Sequence, residues 1–417
     1  MNKTYLIIAA AILAIALTGG YIYYTSGEAP AQIDGAQNPG DTNGITDSEI
    51  LIGSSSALSG HASFLGTQYT RGSLAFINDI NEKGGVQGRK IRMITYDDEY
   101  DPPKTVANTQ KLIADDKVFM LFDYVGTPTS VRIIDMVDEA KIPLLGLFTG
   151  AEELRTPFRK YIFNVRASYY DETEAAVAYF ADNLGLKKIA VFYQDDAFGM
   201  TGLKGTEIAL SKRSMSLAAK ASYARGTENV EAGVETIMNS NPDAVIMIGT
   251  YAPIAKFVAL YKKEGQDPYF HSVSFVGSDA FAEELSKRGI NSSDKIIVTQ
   301  VVSDPYEVSA IHLKIVKDYR DLTAKYFPGN SPTYTGLEGF VNAKLLVRAL
   351  DAAGRDLSRE KLIQTLESFE DYSVGIGIPV NYGPADHQAF DRIFFSRLAG
   401  GRFLLFEGGG GRVGGST

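Results

Sequence analysis

Short apolar runs alternate with amphipathic stretches along the chain from residue 48 onward. The runs at 49–53, 91–96, 118–122 and 142–147 predict strands. Between them, small or apolar residues recur at helical spacing, most clearly at Leu65, Tyr69, Gly72, Phe76 and Ile80. Repeated β–α units of this kind predict a parallel sheet with helices on both faces.

The same alternation restarts near residue 170. Asp171 and Glu174 have the spacing of a capping box, which predicts a helix with Asp171 as its N-cap. Further strands are predicted at 189–193, 217–223, 244–248, 272–276 and 296–301. Two α/β sets of similar size predict two lobes, and the crevice between two lobes commonly binds a ligand.

Two loops in the first set combine glycine with hydroxyl side chains. They are 126–130, which contains Thr127 and Thr129, and 148–151, which contains Thr149 and Gly150. Each follows a predicted buried strand, at the sheet edge where open α/β folds bind ligands. Backbone N–H groups and hydroxyls there can hold an anion without a lysine. We therefore expect capture of a carboxylate-sized group, while helix capping by the threonines is the alternative.

Composition excludes several classes of function. The chain has 417 residues, a net charge of −9 and a pI near 5.2, which argues against nucleic acid as a partner. It has no cysteine, so disulfides, thiolate nucleophiles and cysteine-ligated metals are excluded. The four histidines lack metal-ligand spacing, and neither a G-x-S-x-G elbow nor a phosphate loop is present. We expect no cofactor, no metal and no enzymatic activity.

The two ends of the chain differ in composition from the rest. Residues 1–26 hold an uncharged, largely aliphatic run behind Lys3, which predicts either a cleaved signal peptide or a single membrane anchor. Residues 27–47 predict a flexible linker, and the ending 407–417 is glycine-rich. The globular part is therefore expected outside the cytoplasm, in the periplasm or at the cell surface.

A series of short motifs follows these elements in a fixed order. They are Leu58-Ser59-Gly60, Gly84-Gly85-Val86-Gln87-Gly88, Asp97-Asp98, Gly126-Thr127-Pro128-Thr129, Thr149-Gly150-Ala151-Glu152, Asn164-Val165-Arg166-Ala167-Ser168-Tyr169 and Asp195-Asp196-Ala197-Phe198-Gly199. In order and spacing the chain resembles the branched-chain amino-acid-binding receptors of ABC transporters, which have the type I periplasmic-binding-protein fold.

The resemblance implies an α/β fold of two Rossmann-like lobes with parallel sheets, joined by three hinge crossovers. The first lobe is then expected to hold 48–165 and 303–367, and the second 166–302 and 368–406. The crossovers are expected near 165–170, near 301–306 and within 367–380.

The resemblance also implies roles for individual residues. Receptors of this family hold the ligand carboxylate on the first lobe, a role that falls here to Thr127, Thr149 and Gly150, with Thr129 as a further candidate. The family holds the ligand ammonium with a carboxylate that ends a second-lobe strand, and Asp279 occupies that position. Capping of the helix at 280–287 is the alternative role for Asp279.

Aromatic residues of the second lobe pack over the ligand in this family, and Phe198 and Tyr251 match those positions. Tyr169 lies beside the first crossover, where hinge packing and ligand contact are both open. Arg166 can form a structural salt bridge or meet a ligand carboxylate with two parallel hydrogen bonds.

The expected function is that of a solute-binding protein of an ABC importer. It would act as a monomer, capture a small amino acid or a related amide or carboxylate by hinge closure, and deliver it to a membrane permease. The shorter Asp279 and the Gly-Thr-Pro-Thr loop depart from the branched-chain receptors, so leucine specificity does not follow. A ligand-sensing ectodomain that reports to a separate membrane partner is the alternative.

Overall fold

The computed structural model describes residues 42–306 and 314–406. The predicted N-terminal segment, linker residues 27–41 and the tail at 407–417 lie outside these ranges. The end of the predicted linker is ordered, because Ile45 forms a bridge to Ile50 and the Leu51 N–H donates to the Gly44 carbonyl at 2.7 Å. Within the described ranges, no helix combines the length and apolar character needed to cross a membrane.

The first lobe is built on a five-stranded parallel sheet in the order β2-β1-β3-β4-β5. Its strands are β1 (Glu49–Ser56), β2 (Lys90–Asp97), β3 (Met120–Phe122), β4 (Leu144–Leu145) and β5 (Ile162–Phe163). Its first helices are α1 (Ser63–Glu82), α2 (Pro102–Ala114), α3 (Thr127–Ser130) and α4 (Ile134–Ala140).

The second lobe is built on a seven-stranded sheet. The last two strands in chain order lie at one edge of this sheet. Its first strands are β6 (Ile189–Gln194), β7 (Lys220–Tyr223), β8 (Ala244–Ile248), β9 (Tyr269–Ser272) and β10 (Ser293–Gln300). Its helices are α5 (Tyr169–Ala178), α6 (Ala197–Ser211), α7 (Glu231–Asn239), α8 (Tyr251–Lys263) and α9 (Ser278–Lys287).

The chain then returns to the first lobe before it completes the second sheet. The returning elements are α10 (Lys314–Tyr326), α11 (Tyr334–Ala353), α12 (Arg359–Glu367) and the short pair β11 (Tyr372–Ser373) and β12 (Pro379–Val380). The last strands are β13 (Phe394–Ala399) and β14 (Arg402–Leu405), which complete the order β14-β13-β10-β9-β8-β6-β7. The expectation of two α/β lobes is confirmed.

The burial of the strands agrees with whether they pair parallel or antiparallel. Strands such as β8 are buried at every position, as expected for parallel strands covered on both faces. β13 and β14 instead pair antiparallel, with the exposed Arg397 and Arg402 among their residues. An antiparallel edge tolerates one solvated face, so these two strands differ from the purely parallel sheet that the sequence predicted.

Two crossovers lie where the resemblance implied them. The chain leaves β5 at Phe163 and begins α5 at Tyr169, and it leaves β10 at Gln300 toward the first lobe. The third lies later than the expected 367–380. Asn164 and Val165 still accept hydrogen bonds from the N–H groups of Ala389 and Phe390, at 2.9 and 3.1 Å. Residues 368–390 therefore stay beside the first sheet, and the passage to the second sheet falls between Phe390 and β13.

Two local predictions need correction. The helix predicted behind Asp171 begins earlier, at Tyr169, and its N-cap is Ser168. Ser168 Oγ accepts from the Asp171 N–H at 3.0 Å and Asp171 Oδ2 accepts from the Ser168 N–H at 2.9 Å, so Asp171 closes the capping box. The strand predicted at 272–276 ends at Ser272, and Ser274–Val276 form a 3₁₀ turn.

Glycines set the closest helix packing of the first lobe. Helices α1 and α11 pack against each other, and a Cβ added to Gly72 would overlap the carbonyl oxygen of Gly336. A Cβ added to Gly339 would likewise overlap the carbonyl oxygen of Tyr69. The two backbones are in direct contact at these glycines. A larger side chain at either position would push the helices apart.

We expect Gly72→Ala to destabilise the protein by about 2 kcal/mol or more, because the added methyl overlaps backbone that cannot rotate away. A glycine-to-alanine change inside a helix otherwise stabilises by roughly 1 kcal/mol, so the sign is diagnostic. The measurement is the free energy of unfolding in urea. Gly383→Ala is the control, because no atom lies within 4 Å of a Cβ built there. Equal stability of the two variants would contradict the packing described.

Candidate ligand-binding cleft

The two predicted anion loops lie side by side at the carboxyl edge of the first sheet. The Gly126 N–H donates to the Phe148 carbonyl at 3.1 Å, and the Phe148 N–H donates to the Tyr124 carbonyl at 2.8 Å. Gly126 turns with a φ of 100°, a conformation that favours glycine. This pairing holds the two loops in register and brings their hydroxyl side chains together.

Thr127 and Thr149 form a hydroxyl pair. Their Oγ1 atoms are 2.6 Å apart, and both side chains are fully buried. Thr149 Oγ1 also accepts from the Ala151 N–H at 3.2 Å. One hydroxyl proton satisfies the bond between the two oxygens, so the other proton can be donated to a third oxygen atom, and the Tyr169 phenol lies within reach of Thr149. The pair can therefore give a hydrogen bond to an oxygen atom in the cleft.

Thr129 uses its hydroxyl differently. Its Oγ1 lies 2.5 Å from the Val125 carbonyl and 2.9 Å from the Gly126 carbonyl, and it donates its proton within its own turn. A carboxylate needs a donor, and this proton is already engaged. The geometry supports Thr129 as a residue that shapes the turn.

Tyr169 and Gly150 lie in direct contact beside the hydroxyl pair. The Tyr169 N–H donates to the Gly150 carbonyl at 2.7 Å, and a Cβ at Gly150 would lie 2.7 Å from Tyr169 Cδ1. Burial raises the pKa of Tyr169 to about 12, and the positive charge of Arg166 and the Thr149 hydroxyl oppose this rise. Tyr169 Oη is buried beside the Thr149 hydroxyl.

Phe198 reaches the same place from the second lobe. Asp196 caps α6 by accepting from the N–H groups of Phe198 and Gly199 at 3.0 and 3.3 Å, which fixes the first turn of the helix. The Phe198 ring lies 5.1 Å from the Tyr169 ring and 4.7 Å from the Phe275 ring, measured between centroids.

Phe275 is the central ring that sequence reasoning missed. Its centroid lies 5.2 Å from that of Phe148 and 6.0 Å from that of Tyr100, so it joins the two lobes. The predicted strand 272–276 gave no sign of this contact, because the chain turns at Ser274–Val276 and carries Phe275 to the other lobe. We call the set of buried rings contributed by both lobes the aromatic chamber: Tyr69, Tyr100 and Phe148 with Tyr169, Phe198 and Phe275.

Arg166 lies at the first crossover and pairs with carboxylates of both lobes. Its Nη2 is 3.4 Å from Glu172 Oε1 in α5, and its Nε is 3.5 Å from Glu338 Oε1 in α11. Its guanidinium carbon also lies 4.8 Å from the centroid of the Phe148 ring. The structural salt bridge expected of Arg166 is confirmed. Burial raises the pKa of Glu338 to about 7, and the Arg166 charge opposes that rise.

Tyr251 and Asp279 lie at a second place between the lobes. The Tyr251 ring is 6.1 Å from that of Phe64 in α1, and Asp279 Oδ2 accepts from the Tyr334 N–H at the start of α11 at 3.1 Å. A cavity of about 260 Å³ opens here, and its lining includes Phe64, Gln68, Asp279, Glu283, Tyr306 and Arg402. Burial raises the pKa of Asp279 to about 7.

The structure thus groups the predicted residues in two places. Thr127, Thr149, Gly150, Tyr169 and Phe198 meet at the hydroxyl pair. Tyr251 and Asp279 close on α1 and α11 instead, and the role of Asp279 as an ammonium partner stays a prediction. Within its own helix Asp279 is a first-turn residue, and the helix whose N-terminus it contacts is α11.

Comparison with known proteins gives a consistent result. Residues 49–402 match the family model described as periplasmic binding protein. An amino acid binding protein of Pseudomonas aeruginosa is 24% identical over 73% of this chain and 79% of its own length. A solved structure of a possible leucine/isoleucine/valine-binding protein from Rhodopirellula baltica is 31% identical, with a TM-score of 0.80 over 88% of this chain and 98% of that one.

A fatty acid ABC transporter substrate-binding protein from Thermomonospora curvata also superposes, with a TM-score of 0.80 over 89% of this chain and 94% of its own. At 19% identity this likeness concerns the fold alone. Proteins of this architecture therefore carry names that refer to chemically different ligands.

Asp279 makes the stability depend on pH. Its folded-state pKa of about 7 lies above the ordinary value of 3.8, so its contribution is full at low pH and is lost as the pH rises toward 7. Between pH 5 and pH 8 we expect the free energy of unfolding to fall, relative to that of Asp279→Asn, by on the order of 2 kcal/mol. Other groups, Glu338 included, cancel in this difference.

The measurement is urea unfolding of wild type and variant at both pH values. Asp356→Asn is the matched control, because it makes the same change of side chain at an exposed position. A parallel profile for Asp279→Asn would contradict the burial assigned to this carboxylate.

Proposed function

Because this chain belongs to the periplasmic binding protein family, we propose that it captures a small solute outside the cytoplasm for an ABC-type permease. The solute carries a carboxylate and is an amino acid or a related compound. It binds between the two lobes, and the lobes close on it. The protein works by binding alone, and no reaction forms part of the proposal.

The observation that carries the proposal is the buried hydroxyl pair of Thr127 and Thr149. It lies at the carboxyl ends of β3 and β4, where α/β sheets present backbone N–H groups and short polar side chains. It offers a neutral donor to an anion, and the rings of Phe198 and Phe275 lie near it on the second lobe. A solute held there touches both lobes.

Contact with both lobes is what couples binding to closure. A ligand shifts the balance between open and closed states only by its difference in affinity for the two. Other contacts also cross between the lobes, since Thr201 Oγ1 donates to Glu153 at 3.2 Å and Tyr334 Oη donates to the Phe403 carbonyl at 3.0 Å. These direct bonds hold the two lobes together. A solute between the lobes adds its own contacts to them.

The names of the relatives support the same chemistry. The Pseudomonas aeruginosa protein is named for amino acid binding, and the Rhodopirellula baltica protein for leucine, isoleucine and valine. An α-carboxylate is common to all these ligands. The proposed contact of this carboxylate with Thr127 and Thr149 therefore does not depend on the side chain of the amino acid that is bound.

A thermal-shift screen tests the proposal. The full chain is unfolded in guanidinium, refolded to remove bound solute, and heated with each of the twenty amino acids, small amides, aromatic acids, fatty acids and polyols. A ligand of the native state at 100 times its Kd adds about 2.7 kcal/mol of stability. We expect a shift with carboxylate-bearing solutes. A shift confined to polyols, or no shift at all, would contradict the proposal.

We expect Thr127→Val to weaken binding of the solute found in that screen by about 10- to 100-fold, because a hydrogen bond to a charged group contributes about 1.5–3 kcal/mol. Valine has nearly the same shape, so the fold is kept. Thr129→Val is the matched control, since its hydroxyl serves its own turn and its loss should leave the affinity within about twofold. Isothermal titration calorimetry measures both, and equal losses would remove the hydroxyl pair from the site.

A further inference from the structure

The aromatic chamber is filled by its own rings. Five pairs of these rings have centroid distances between 4.7 and 6.0 Å, and each of the six rings is at most 1% exposed. Carbon atoms in contact are about 3.5–4.0 Å apart, so a group between two rings would hold them at least about 7 Å apart. The cavity of about 260 Å³ between the lobes is lined by none of these rings. No solute therefore fits between the rings while they are packed in this way.

Phe275 is the ring of the chamber that makes the contacts across the lobes. Its centroid lies 5.2 Å from that of Phe148 and 6.0 Å from that of Tyr100 in the first lobe, and 4.7 Å from that of Phe198 in its own lobe. The other two ring pairs each stay within one lobe. Burial of one phenylalanine ring corresponds to roughly 10- to 100-fold in an equilibrium constant. This ring can therefore shift the balance between closed and open lobes strongly toward the closed state.

The turn that carries Phe275 is fixed to the second lobe. The Ser274 N–H donates to Glu172 Oε2 at 2.7 Å, and Ser274 Oγ donates to Glu172 Oε1 at 2.9 Å, so both bonds join the turn to α5. The turn also touches the first lobe at its end, where a Cβ added to Gly277 would lie 2.5 Å from Leu65 Cδ2 of α1. The turn therefore moves with the second lobe, and opening of the lobes draws Phe275 away from the rings of the first lobe.

The hydroxyl pair lies behind the same rings. Phe148 directly precedes Thr149 in the chain, and Tyr169 Oη lies beside the Thr149 hydroxyl. Thr127 and Thr149 are themselves fully buried. A solute that reaches these hydroxyls from between the lobes must displace the Phe275 ring from Phe148.

We propose that the Phe275 ring is an internal plug, which holds the lobes closed without solute and competes with the solute for the same place. This inference rests on the proposed function, since it concerns the regulation of the same site. The apparent affinity for the solute is lowered by the fraction of molecules in which the plug is in place. A ring that packed over the bound solute would instead raise the affinity. The two roles therefore differ in the sign of one measurement.

The first test needs no solute. The chain has no cysteine, so spin labels attach only to cysteines introduced at the exposed Lys104 of the first lobe and the exposed Asn229 of the second. Double electron–electron resonance on the refolded full chain should give one distance, that of closed lobes, when Phe275 is present. Phe275→Ala should lengthen this distance by more than about 2 Å, as expected for a movement of whole lobes. Equal distance distributions in the two proteins overturn the inference.

The second test measures affinity by calorimetry. Phe275→Ala should bind the solute found in the screen at least about fivefold more tightly than wild type, because no plug has to be removed. Phe281→Ala is the matched control, because Phe281 is a buried ring of the same lobe that stacks on Phe403 at 5.4 Å and 13°. It should lower the stability and leave the affinity within about twofold. Unchanged or weaker binding by Phe275→Ala overturns the inference.

Thermal unfolding without solute shows whether each variant is folded. If Phe275→Ala does not fold, Phe275→Leu replaces it in both tests, with the same direction of change expected. A screen in which no solute binds contradicts the proposed function, and the distance measurement then still decides whether the plug exists. A screen that finds a solute, together with equal distances or weaker binding by the variant, keeps the proposed function and removes the plug.

Discussion

The arrangement of the cleft depends on one buried cation. Arg166 is 1% exposed and lies at the first crossover, where the chain passes between the lobes. A guanidinium in such a place is tolerated only when it is paired, because its removal from water costs several kcal/mol. Glu172 meets it from the second lobe and Glu338 from the first. The need to pair this charge therefore fixes both lobes relative to the crossover.

The fixed position of Arg166 also determines where the residues that follow it in the chain lie. Ser168 caps α5 with Asp171, so Tyr169 occupies the first helical position and its ring turns toward Gly150. The paired loops bring Thr149 to the same point. The start of α5, the first crossover and the ends of two strands all lie at this point of the fold. Their backbone positions bring the hydroxyl pair, Tyr169 and Arg166 together and leave these side chains little freedom.

The sequence predicted those parts that depend on local chemistry. Gly126 and the threonines after it indicated a strand-end loop, and the structure places Thr127 in contact with Thr149 of the neighbouring loop. Contact of these threonines with a ligand stays a prediction. The alternation of apolar runs predicted two α/β lobes. The antiparallel edge formed by β13 and β14 was not predicted, because pairing direction depends on where the chain returns and not on its local pattern.

Two errors in the predicted architecture have the same origin. The run 272–276 has the composition of a strand, yet the chain turns after Ser272, and Phe275 packs against Phe148 of the other lobe within a shared hydrophobic core. The third crossover was expected before residue 381, but hydrogen bonds to Asn164 and Val165 hold the chain at the first sheet until Phe390. Both features are set by contacts between residues far apart in the chain.

The Asp279 carboxylate is a group that can take part both in closure of the lobes and in ligand binding. Its carboxylate accepts from the Tyr334 N–H, and this bond joins the second lobe to the N-terminus of α11 in the first. A carboxylate has about four acceptor positions, so an ammonium could bind without displacing that N–H. The ammonium would also hold the carboxylate ionised, against the burial that raises its pKa to about 7. Binding a cation there therefore strengthens a contact between the lobes that exists without it, whereas a solute that lacks an ammonium leaves that contact as it is.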